Sequence, residues 1–332
     1  MAQVVIENPI LNSPFNEPGR HFRFSDEGIT DEVVAERRVS SYFMPIPASK
    51  KKGVQSVIDT EWTKDRVEEN VTINRIRFQV GRWRNGGRGG VTQTTRRLLD
   101  YWTDEARENR LFFCQIEALE TSIYITEVAR KDNAGWIEEE LRRFNDDANP
   151  GLYRLALKMA TGTGKTVVMA MLIAWQTLNK LANPQDRRWA DAFLIVAPGI
   201  TIRDRLRVLL PNDPNNYYRE RDLVPTELFG ELNRAKIVIT NFHAFKLREH
   251  TAAARLGKHI LGADATGAFT ETPDQMVRRV CRELSGKKNL VVINDEAHHC
   301  YRQRPGGEFG EETLKGDLKR EAQTRAERRS SS

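Results

Sequence analysis

Two short stretches of this 332-residue chain carry residue types whose spacing suits phosphate chemistry. The first is MATGTGKT, residues 159–166, in which two glycines precede a lysine and a threonine. Glycine lets the backbone curl so that successive N–H groups point inward at phosphate oxygens, and a following helix adds its positive N-terminal end. Lys165 is expected to reach the β- and γ-phosphates of a nucleotide, and the Thr166 hydroxyl to bind Mg²⁺.

This turn departs from the usual phosphate loop at one position. The spacing G-x-x-x-x-G-K-[ST] puts a glycine at position 159, where this chain has Met159. The turn lies between an apolar run and a helical pattern, which favours the phosphate-loop interpretation over a chance turn. The residues expected to bind the nucleotide are Thr161, Gly162, Thr163, Gly164, Lys165 and Thr166.

The second stretch is NLVVINDEAHHC, in which the apolar run 290–293 is followed by two acids. Asp295 is expected to hold Mg²⁺ together with Thr166. Glu296 is expected to orient and deprotonate an attacking water, because that step needs a carboxylate beside the γ-phosphate. A surface cluster of acids at a strand end is the alternative for this pair.

Two other short patterns are weaker. A zinc site in HHC, residues 298–300, is disfavoured because adjacent residues do not easily converge on one metal and no C-x-x-C accompanies them. DLK, residues 317–319, has the D-x-K form of some nuclease sites, but a solvated helix explains it better. Three scattered cysteines argue against a disulfide framework.

Composition favours a globular protein, and the N-terminus and the scattered cysteines favour a cytoplasmic one. Hydrophobic residues make up 39% of the chain and charged residues 30%. The longest apolar run, residues 167–175, is far below the roughly 20 residues that a membrane span requires, so no membrane association is expected. The N-terminus lacks the features of a secretory signal. A net charge of +6 permits a polyanionic partner without establishing one.

The positive charge is concentrated in one stretch, 75–97, which lies in a segment without acidic residues. Arginines with interspersed aromatic residues could follow phosphates and stack a base. The alternative is a solvated strand pair whose arginines meet carboxylates from elsewhere in the chain. The glycine-rich RNGGRGG within it is expected to be an ordinary turn. The arginines are Arg75, Arg77, Arg82, Arg84, Arg88, Arg96 and Arg97.

Apolar periodicity predicts an α/β protein. Partial alternation predicts a strand over Val71–Val80, and helical spacing begins near Arg96 and continues to Arg130. After about residue 151, short apolar runs alternate with helical stretches, which is typical of a mainly parallel sheet flanked by helices. The strands of this region are expected in YRLALKMA, DAFLIVAP, AKIVITNF and NLVVINDE. We predict an accessory region at 1–100, containing β structure, an ATP-binding domain at 101–300 and a charged tail at 301–332.

The motifs MATGTGKT, VAPGITIRDRL, ITNFHAF and NDEAHHCY, in that order, resemble the ATPase core of superfamily 2 helicases. They are most similar to the restriction subunit of type III restriction enzymes and related restriction endonucleases. DEAH, residues 295–298, matches the box that names one helicase branch. The resemblance implies a RecA-like P-loop domain that uses ATP and Mg²⁺ and acts on DNA.

The resemblance also implies roles for further residues. Gln115 matches an upstream glutamine that reads adenine, with a polar residue on an amphipathic helix as the alternative. His298 matches the residue that couples hydrolysis to lobe movement. Two segments match contacts to the DNA backbone, although structural turns explain them about as well: Pro198, Gly199, Thr201 and Arg203 in the first, and Thr240, Asn241 and Phe242 in the second.

In the family, a second RecA-like lobe with arginine fingers and a C-terminal nuclease follow, and neither is found in this sequence. The chain is therefore expected to be a truncated or separately encoded fragment that hydrolyses ATP poorly alone, because arginine fingers supply much of the rate. The expected partners are DNA, a second lobe and nuclease in trans, and a modification methyltransferase subunit. A non-catalytic nucleotide- and DNA-binding remnant is the alternative.

Overall fold

The computed structural model describes residues 8–25, 28–43, 67–148, 150–246 and 271–297. These residues fall into two compact units. The first contains the described residues up to Trp175 together with Arg221–Glu227, and the second contains Gln176–Glu220 with the described residues from Leu228 onward. The predicted tail 301–332, with the DLK sequence, lies outside the described residues, and the boundary near residue 100 stays a prediction.

The first unit begins with two antiparallel strand pairs and continues with helices. β1 (His21–Ser25) pairs with β2 (Gly28–Val34), and β3 (Ser41–Phe43) pairs with β4 (Val67–Glu69). A π-helical turn, Tyr124–Val128, directly follows the third helix. The helices are α1 (Val71–Asn85), α2 (Gln93–Trp102), α3 (Phe113–Ile123), α4 (Trp136–Ala148) and α5 (Lys165–Ala182), the last of which continues into the second unit.

The strand predicted over Val71–Val80 is wrong, because these residues form the first part of helix α1. Ile76, Val80 and Trp83 are buried, and spacings of four and three residues place them on one helix face. The Trp83 ring packs against Tyr124 with centroids 5.6 Å apart. Of the five residues whose alternation suggested a strand, Ile76 and Val80 are these buried positions, and the other three are exposed: Val71, Ile73 and Phe78.

The acid-free stretch 75–97 meets carboxylates from elsewhere in the first unit. Glu120, whose side chain has no exposed surface, accepts from Arg84 at 2.6 Å and from Arg88 at 2.7 Å. The glycine-rich sequence forms the expected turn, which Trp83 Nε1 closes by donating to the Gly89 carbonyl at 2.7 Å. Most of the arginines in this stretch therefore form ion pairs with carboxylates of the protein. Further ion pairs join Arg75 to Glu140, Arg82 to Asp132 and Arg97 to Glu227.

The second unit is built on a three-stranded parallel sheet in the order β6, β5, β7. Its strands are β5 (Ala192–Ala197), β6 (Lys236–Asn241) and β7 (Val291–Asn294). Its helices are α6 (Ile200–Arg205), α7 (Tyr217–Glu220), α8 (Phe229–Leu232) and α9 (Pro273–Val280), with 3₁₀ turns at Leu206–Leu209, Phe242–Phe245 and Arg282–Leu284. No helix in the described part of the chain is long and apolar enough to span a bilayer.

Strand β5 lies at the centre of this sheet, and all six of its residues are buried. A parallel strand covered on both faces reads as a continuous apolar run, which is why AFLIVA lacks alternation. Leu194 and Val196 pack with Leu284, and Val238 and Phe245 extend the cluster. The predicted fold class, a RecA-like α/β domain with a parallel sheet, helices and N-terminal β structure, is confirmed.

The strand predicted in YRLALKMA, residues 153–160, is wrong, since no strand is formed within these residues. The Asn145 side chain binds both backbone groups of Arg154, accepting from its N–H and donating to its carbonyl, each at 2.9 Å. A strand needs a neighbouring backbone for those groups. Here a side-chain amide on α4 takes that place, and the apolar Leu155 stays exposed.

Candidate functional site

The glycine-rich turn leads directly into the 18-residue helix α5, which begins at Lys165. Gly162 and Gly164 have φ of +82° and +80°, a conformation that residues with a Cβ rarely adopt. The Thr163 hydroxyl donates to the Ala160 carbonyl at 2.7 Å and so closes the turn. A helix start leaves its first N–H groups without intrahelical acceptors and carries partial positive charge. The turn and the first residues of α5 therefore suit a phosphate group.

Gln115 contacts this turn from helix α3. Its Nε2 donates to the Thr163 carbonyl at 3.0 Å, and its Oε1 accepts from the Phe112 N–H at 2.9 Å. The residue is only 5% exposed, and a Cβ added at Gly164 would overlap the Gln115 amide. Gln115 is therefore packed against the glycine turn and does not lie on a solvated helix face. Its role in reading adenine stays a prediction.

In the second unit, three predicted segments follow the carboxyl ends of neighbouring strands. Ala197 pairs with Asn241, and Val196 pairs with Asn294, so β5, β6 and β7 end at the same edge of the sheet. Ligands of open parallel sheets bind at this edge. The segments that begin there are 198–203 after β5, 240–242 at the end of β6 and 295–296 after β7.

The two acids after β7 occupy a defined backbone. The Asp295 N–H donates to the Val196 carbonyl at 3.0 Å, which continues the bonding between β5 and β7. The Asp295 carboxylate accepts from the Glu296 N–H at 3.1 Å. Glu296 has φ of +51°, which is uncommon for a residue other than glycine and is found disproportionately at functional sites. The HHC sequence, which begins at His298, lies outside the described residues.

The segment after β5 forms a short helix at the sheet edge. Gly199 precedes α6 in an extended conformation, and Thr201 is exposed. Arg203 makes an ion pair with the adjacent Asp204 at 2.8 Å, and its side chain is 42% exposed. Arg203 is therefore the one formally charged side chain among the predicted DNA contacts, and nearly half of it is open to solvent.

The segment at the end of β6 forms a capped turn. Asn241 is buried, and its Oδ1 accepts from the Ala244 N–H at 3.0 Å, which fixes the start of the 3₁₀ turn Phe242–Phe245. Phe242 is 48% exposed. Arg279 on α9 donates to the Ala244 carbonyl at 3.1 Å and to Glu271 at 2.8 Å. The turn is thus held from two sides while its aromatic ring remains accessible.

Replacing Asn241 with Ala is expected to destabilise the chain by about 1 kcal/mol, because the capping acceptor is lost. Asn241→Asp keeps an oxygen in the same place and is expected to retain most of the stability. Urea unfolding of the three proteins measures both effects. Equal losses for the two variants would contradict a capping role for Oδ1.

Residues 108–315 match the family model described as type III restriction enzyme, res subunit. This match covers more than half of the chain. The chain belongs to this family. No match was found among curated proteins or among solved structures. The matched range includes the glycine turn, all three segments at the sheet edge and Gln115, so the predicted family is confirmed.

Membership of the res-subunit family establishes a coarse function. The chain carries a helicase-like, ATP-binding module of superfamily 2. Proteins of this family generally use ATP and Mg²⁺, and they act on DNA with other subunits. The individual site residues stay predictions.

Sequence reasoning missed the ion pair that joins the N-terminal residues to helix α3. Arg37 binds Glu117 with two hydrogen bonds of 2.8 and 2.6 Å, although 80 positions separate the two residues. Neither residue lies in a recognisable motif. Only the folded chain brings them together, and no local pattern could have identified the pair.

Proposed function

We propose that this chain binds Mg²⁺ and ATP, binds DNA, and forms the first motor lobe of a superfamily 2 translocase in a restriction endonuclease. In that enzyme, ATP hydrolysis would drive movement along DNA, in concert with a second lobe, a nuclease and a modification methyltransferase subunit. The observation that carries the proposal is the glycine turn at the start of α5, in a chain of the res-subunit family.

In this proposal, the turn and the first residues of α5 bind the triphosphate. The backbone of Thr161–Gly164 donates to phosphate oxygens, and the Lys165 ammonium neutralises the β- and γ-phosphates. The Thr166 hydroxyl binds Mg²⁺. The positive φ of both glycines supports this role, because it turns successive backbone groups toward one side.

The residues present fit a magnesium ion bound together with a nucleotide. Within the described part of the chain, no three His, Cys, Asp or Glu side chains cluster as a preformed metal site. Mg²⁺ commonly binds through one or two protein oxygens and through substrate phosphates and water, and the proposal assigns the Thr166 hydroxyl and the Asp295 carboxylate to this role. When bound, Mg²⁺ would neutralise charge on the phosphates. Glu296 would accept a proton from the attacking water.

We assign DNA binding to the segments after β5 and at the end of β6. Pro198, Gly199, Thr201 and Arg203 would contact the DNA backbone, as would Thr240, Asn241 and Phe242. The exposed Arg203 and the exposed Phe242 ring support this assignment, because cations and aromatic rings are the groups that bind phosphates and stack on bases. In contrast, the arginines of 75–97 are largely engaged by protein carboxylates.

Replacing Arg203 with Ala is expected to lower the slope of log affinity against log salt by about 1, because one phosphate contact is lost. Arg188→Ala is the matched control. Arg188 also pairs with a nearby aspartate, at 2.7 Å, and is 41% exposed, but it precedes β5. Fluorescence anisotropy with labelled DNA across a salt series measures the slopes. Equal slopes for the two variants would argue against a DNA contact at Arg203.

Titration of the chain with a fluorescent ATP analogue in the presence of Mg²⁺ tests the nucleotide half of the proposal. Saturable binding that unlabelled ATP reverses is expected. If no binding occurs at millimolar nucleotide, the assignment of the glycine turn to ATP is wrong.

A further inference from the structure

The N-terminal arm, defined as residues 12–25 and 28–37, is ordered by its own contacts. Asn12 Oδ1 accepts from the N–H groups of Gly19 at 3.0 Å and Arg20 at 3.1 Å, and Asn12 Nδ2 donates to the Arg20 carbonyl at 2.9 Å. Strands β1 and β2 follow directly. The arm therefore has a defined shape with which to contact other elements of the first unit. It also lies outside the matched range 108–315.

The arm contacts the N-terminal end of helix α3. The Pro14 carbonyl accepts from the Phe113 N–H at 2.8 Å, which satisfies one of the N–H groups that a helix start leaves without a partner. The Phe15 and Phe112 rings pack with centroids 5.7 Å apart. These contacts lie within three residues of Gln115.

Arg37, at the end of the arm, forms an ion pair with a residue in the next turn of α3. It donates to both carboxylate oxygens of Glu117, at 2.8 and 2.6 Å, and to Glu17 in the arm at 2.6 Å. The Arg37 and Glu117 side chains are 24% and 16% exposed. Burial alone would raise the pKa of Glu117, but the hydrogen bonds and charge of Arg37, with the charges of Arg84 and Arg77, lower it below its usual range. The carboxylate is thus held in its charged form, two residues from Gln115.

The amide of Gln115 retains bonding capacity beyond its two contacts within the protein. One Nε2 hydrogen binds the Thr163 carbonyl, and one Oε1 lone pair binds the Phe112 N–H. One donor and one acceptor remain. Adenine presents the complementary pair, the N7 acceptor and the N6 donor, whereas guanine presents two acceptors, N7 and O6. An amide fixed in this orientation should therefore favour adenine over guanine.

We propose that the N-terminal arm positions Gln115 for adenine, and that Arg37 is the residue through which it does so. The proposal rests on the assignment of the glycine turn to ATP. Arg37 acts through Glu117 and helix α3, so it is a positioning residue. Without Arg37, α3 would lose two hydrogen bonds to the arm next to Gln115, although Glu117 would keep its 3.4 Å contact with Arg84. The Gln115 amide would then select adenine less well.

The test compares affinities for fluorescent ATP and GTP analogues in Mg²⁺, with the full chain. The wild-type chain is expected to favour ATP, and Gln115→Ala to reduce that preference by about 5- to 150-fold, the range for a bidentate amide contact. Arg37→Ala is expected to reduce it by about three- to tenfold, which is in the lower part of the range for coupling between contacting groups. Arg37→Lys keeps the positive charge but cannot donate two parallel hydrogen bonds to Glu117. Its preference for ATP should therefore lie between those of the wild type and Arg37→Ala.

A double variant separates positioning from general stability. In the Gln115→Ala background, Arg37→Ala should leave the remaining ATP-to-GTP ratio unchanged, because the two residues act through one amide. Arg23→Ala is the matched control, since Arg23 pairs with Glu32 inside the arm, at 2.9 Å, and should leave the ratio unchanged. Circular dichroism checks folding. If Arg37→Ala does not fold, Arg37→Lys carries the same comparison.

The possible failures are distinguishable. An unchanged ratio in Arg37→Ala, or an equal further loss in the Gln115→Ala background, would overturn the positioning role. Equal wild-type affinities for ATP and GTP would also overturn it, while leaving the glycine turn as the phosphate site. A wild-type chain that binds neither nucleotide would overturn the proposed function itself.

Discussion

Lys165→Ala is expected to weaken ATP binding by about 10- to 150-fold, which corresponds to the loss of a hydrogen bond to a charged group worth about 1.5–3 kcal/mol. The residue begins α5, directly after Gly164. In the proposed function, its ammonium contacts the β- and γ-phosphates, which AMP lacks. Affinity for AMP should therefore be almost unaffected by the substitution. Competition titrations with ATP and AMP against a fluorescent analogue measure both affinities.

Lys158→Ala is the matched control for this experiment. Lys158 is an exposed lysine that precedes the glycine turn, so its loss changes the net charge equally without removing a proposed phosphate contact. ATP affinity should change by less than about twofold, as expected for an exposed charge that is screened by salt and makes no proposed phosphate contact. Similar losses in the two variants, or an equal loss of AMP affinity in Lys165→Ala, would indicate a general charge effect instead.

Gly164→Ala is expected to destabilise the first unit more than Gly162→Ala does. Both glycines have positive φ, +80° and +82°, and a Cβ in this conformation costs about 1–2 kcal/mol. The two sites differ in their surroundings. A Cβ at Gly162 meets no atom within 4 Å, whereas a Cβ at Gly164 would overlap Gln115 Nε2. Because that amide is buried and bonded to the Thr163 carbonyl, Gly164→Ala should cost about 2 kcal/mol more and should abolish measurable ATP binding.

A second substitution tests whether the overlap with the Gln115 amide causes the additional destabilisation. In Gly164→Ala with Gln115→Ala, the overlapping amide is absent, and the additional cost of Gly164→Ala over Gly162→Ala should largely disappear. Urea unfolding measures the free energies, with Gln115→Ala alone as the reference. The two glycine variants could prove equally stable, or Gln115→Ala could fail to reduce the additional loss of stability in Gly164→Ala. Either result would show that the close packing of Gln115 on Gly164 is not what requires glycine there.

The elements that the sequence predicted well are those whose signals are local. Helices α2, α3 and α5 follow from apolar residues at helical spacing, and β5, β6 and β7 from short apolar runs bounded by turns. The family follows from four motifs in a fixed order, since each motif is a contiguous stretch with its own chemistry. Such features depend on neighbouring residues, and a single sequence contains that information.

The two wrong strands show where local signals fail. Over residues 71–80, some apolar positions fit both strand alternation and one face of a helix. The burial of Ile76, Val80 and Trp83 on that face favours the helix. Within residues 153–160, the side chain of Asn145 binds the N–H and carbonyl of Arg154, which a strand would have paired with a neighbouring backbone. Pairing partners are not encoded in the segment itself, so its pattern cannot predict them.

For this protein, the sequence by itself determined the family, the fold class and the residue types available for phosphate and DNA chemistry. Tertiary structure decided what those residues contact. It buried Gln115 against the glycine turn, paired the arginines of 75–97 with distant carboxylates, and fixed α3 through Arg37 and Glu117. The physical reason is that a motif is set by spacing along the chain, whereas burial and ion pairing depend on groups that only folding brings together.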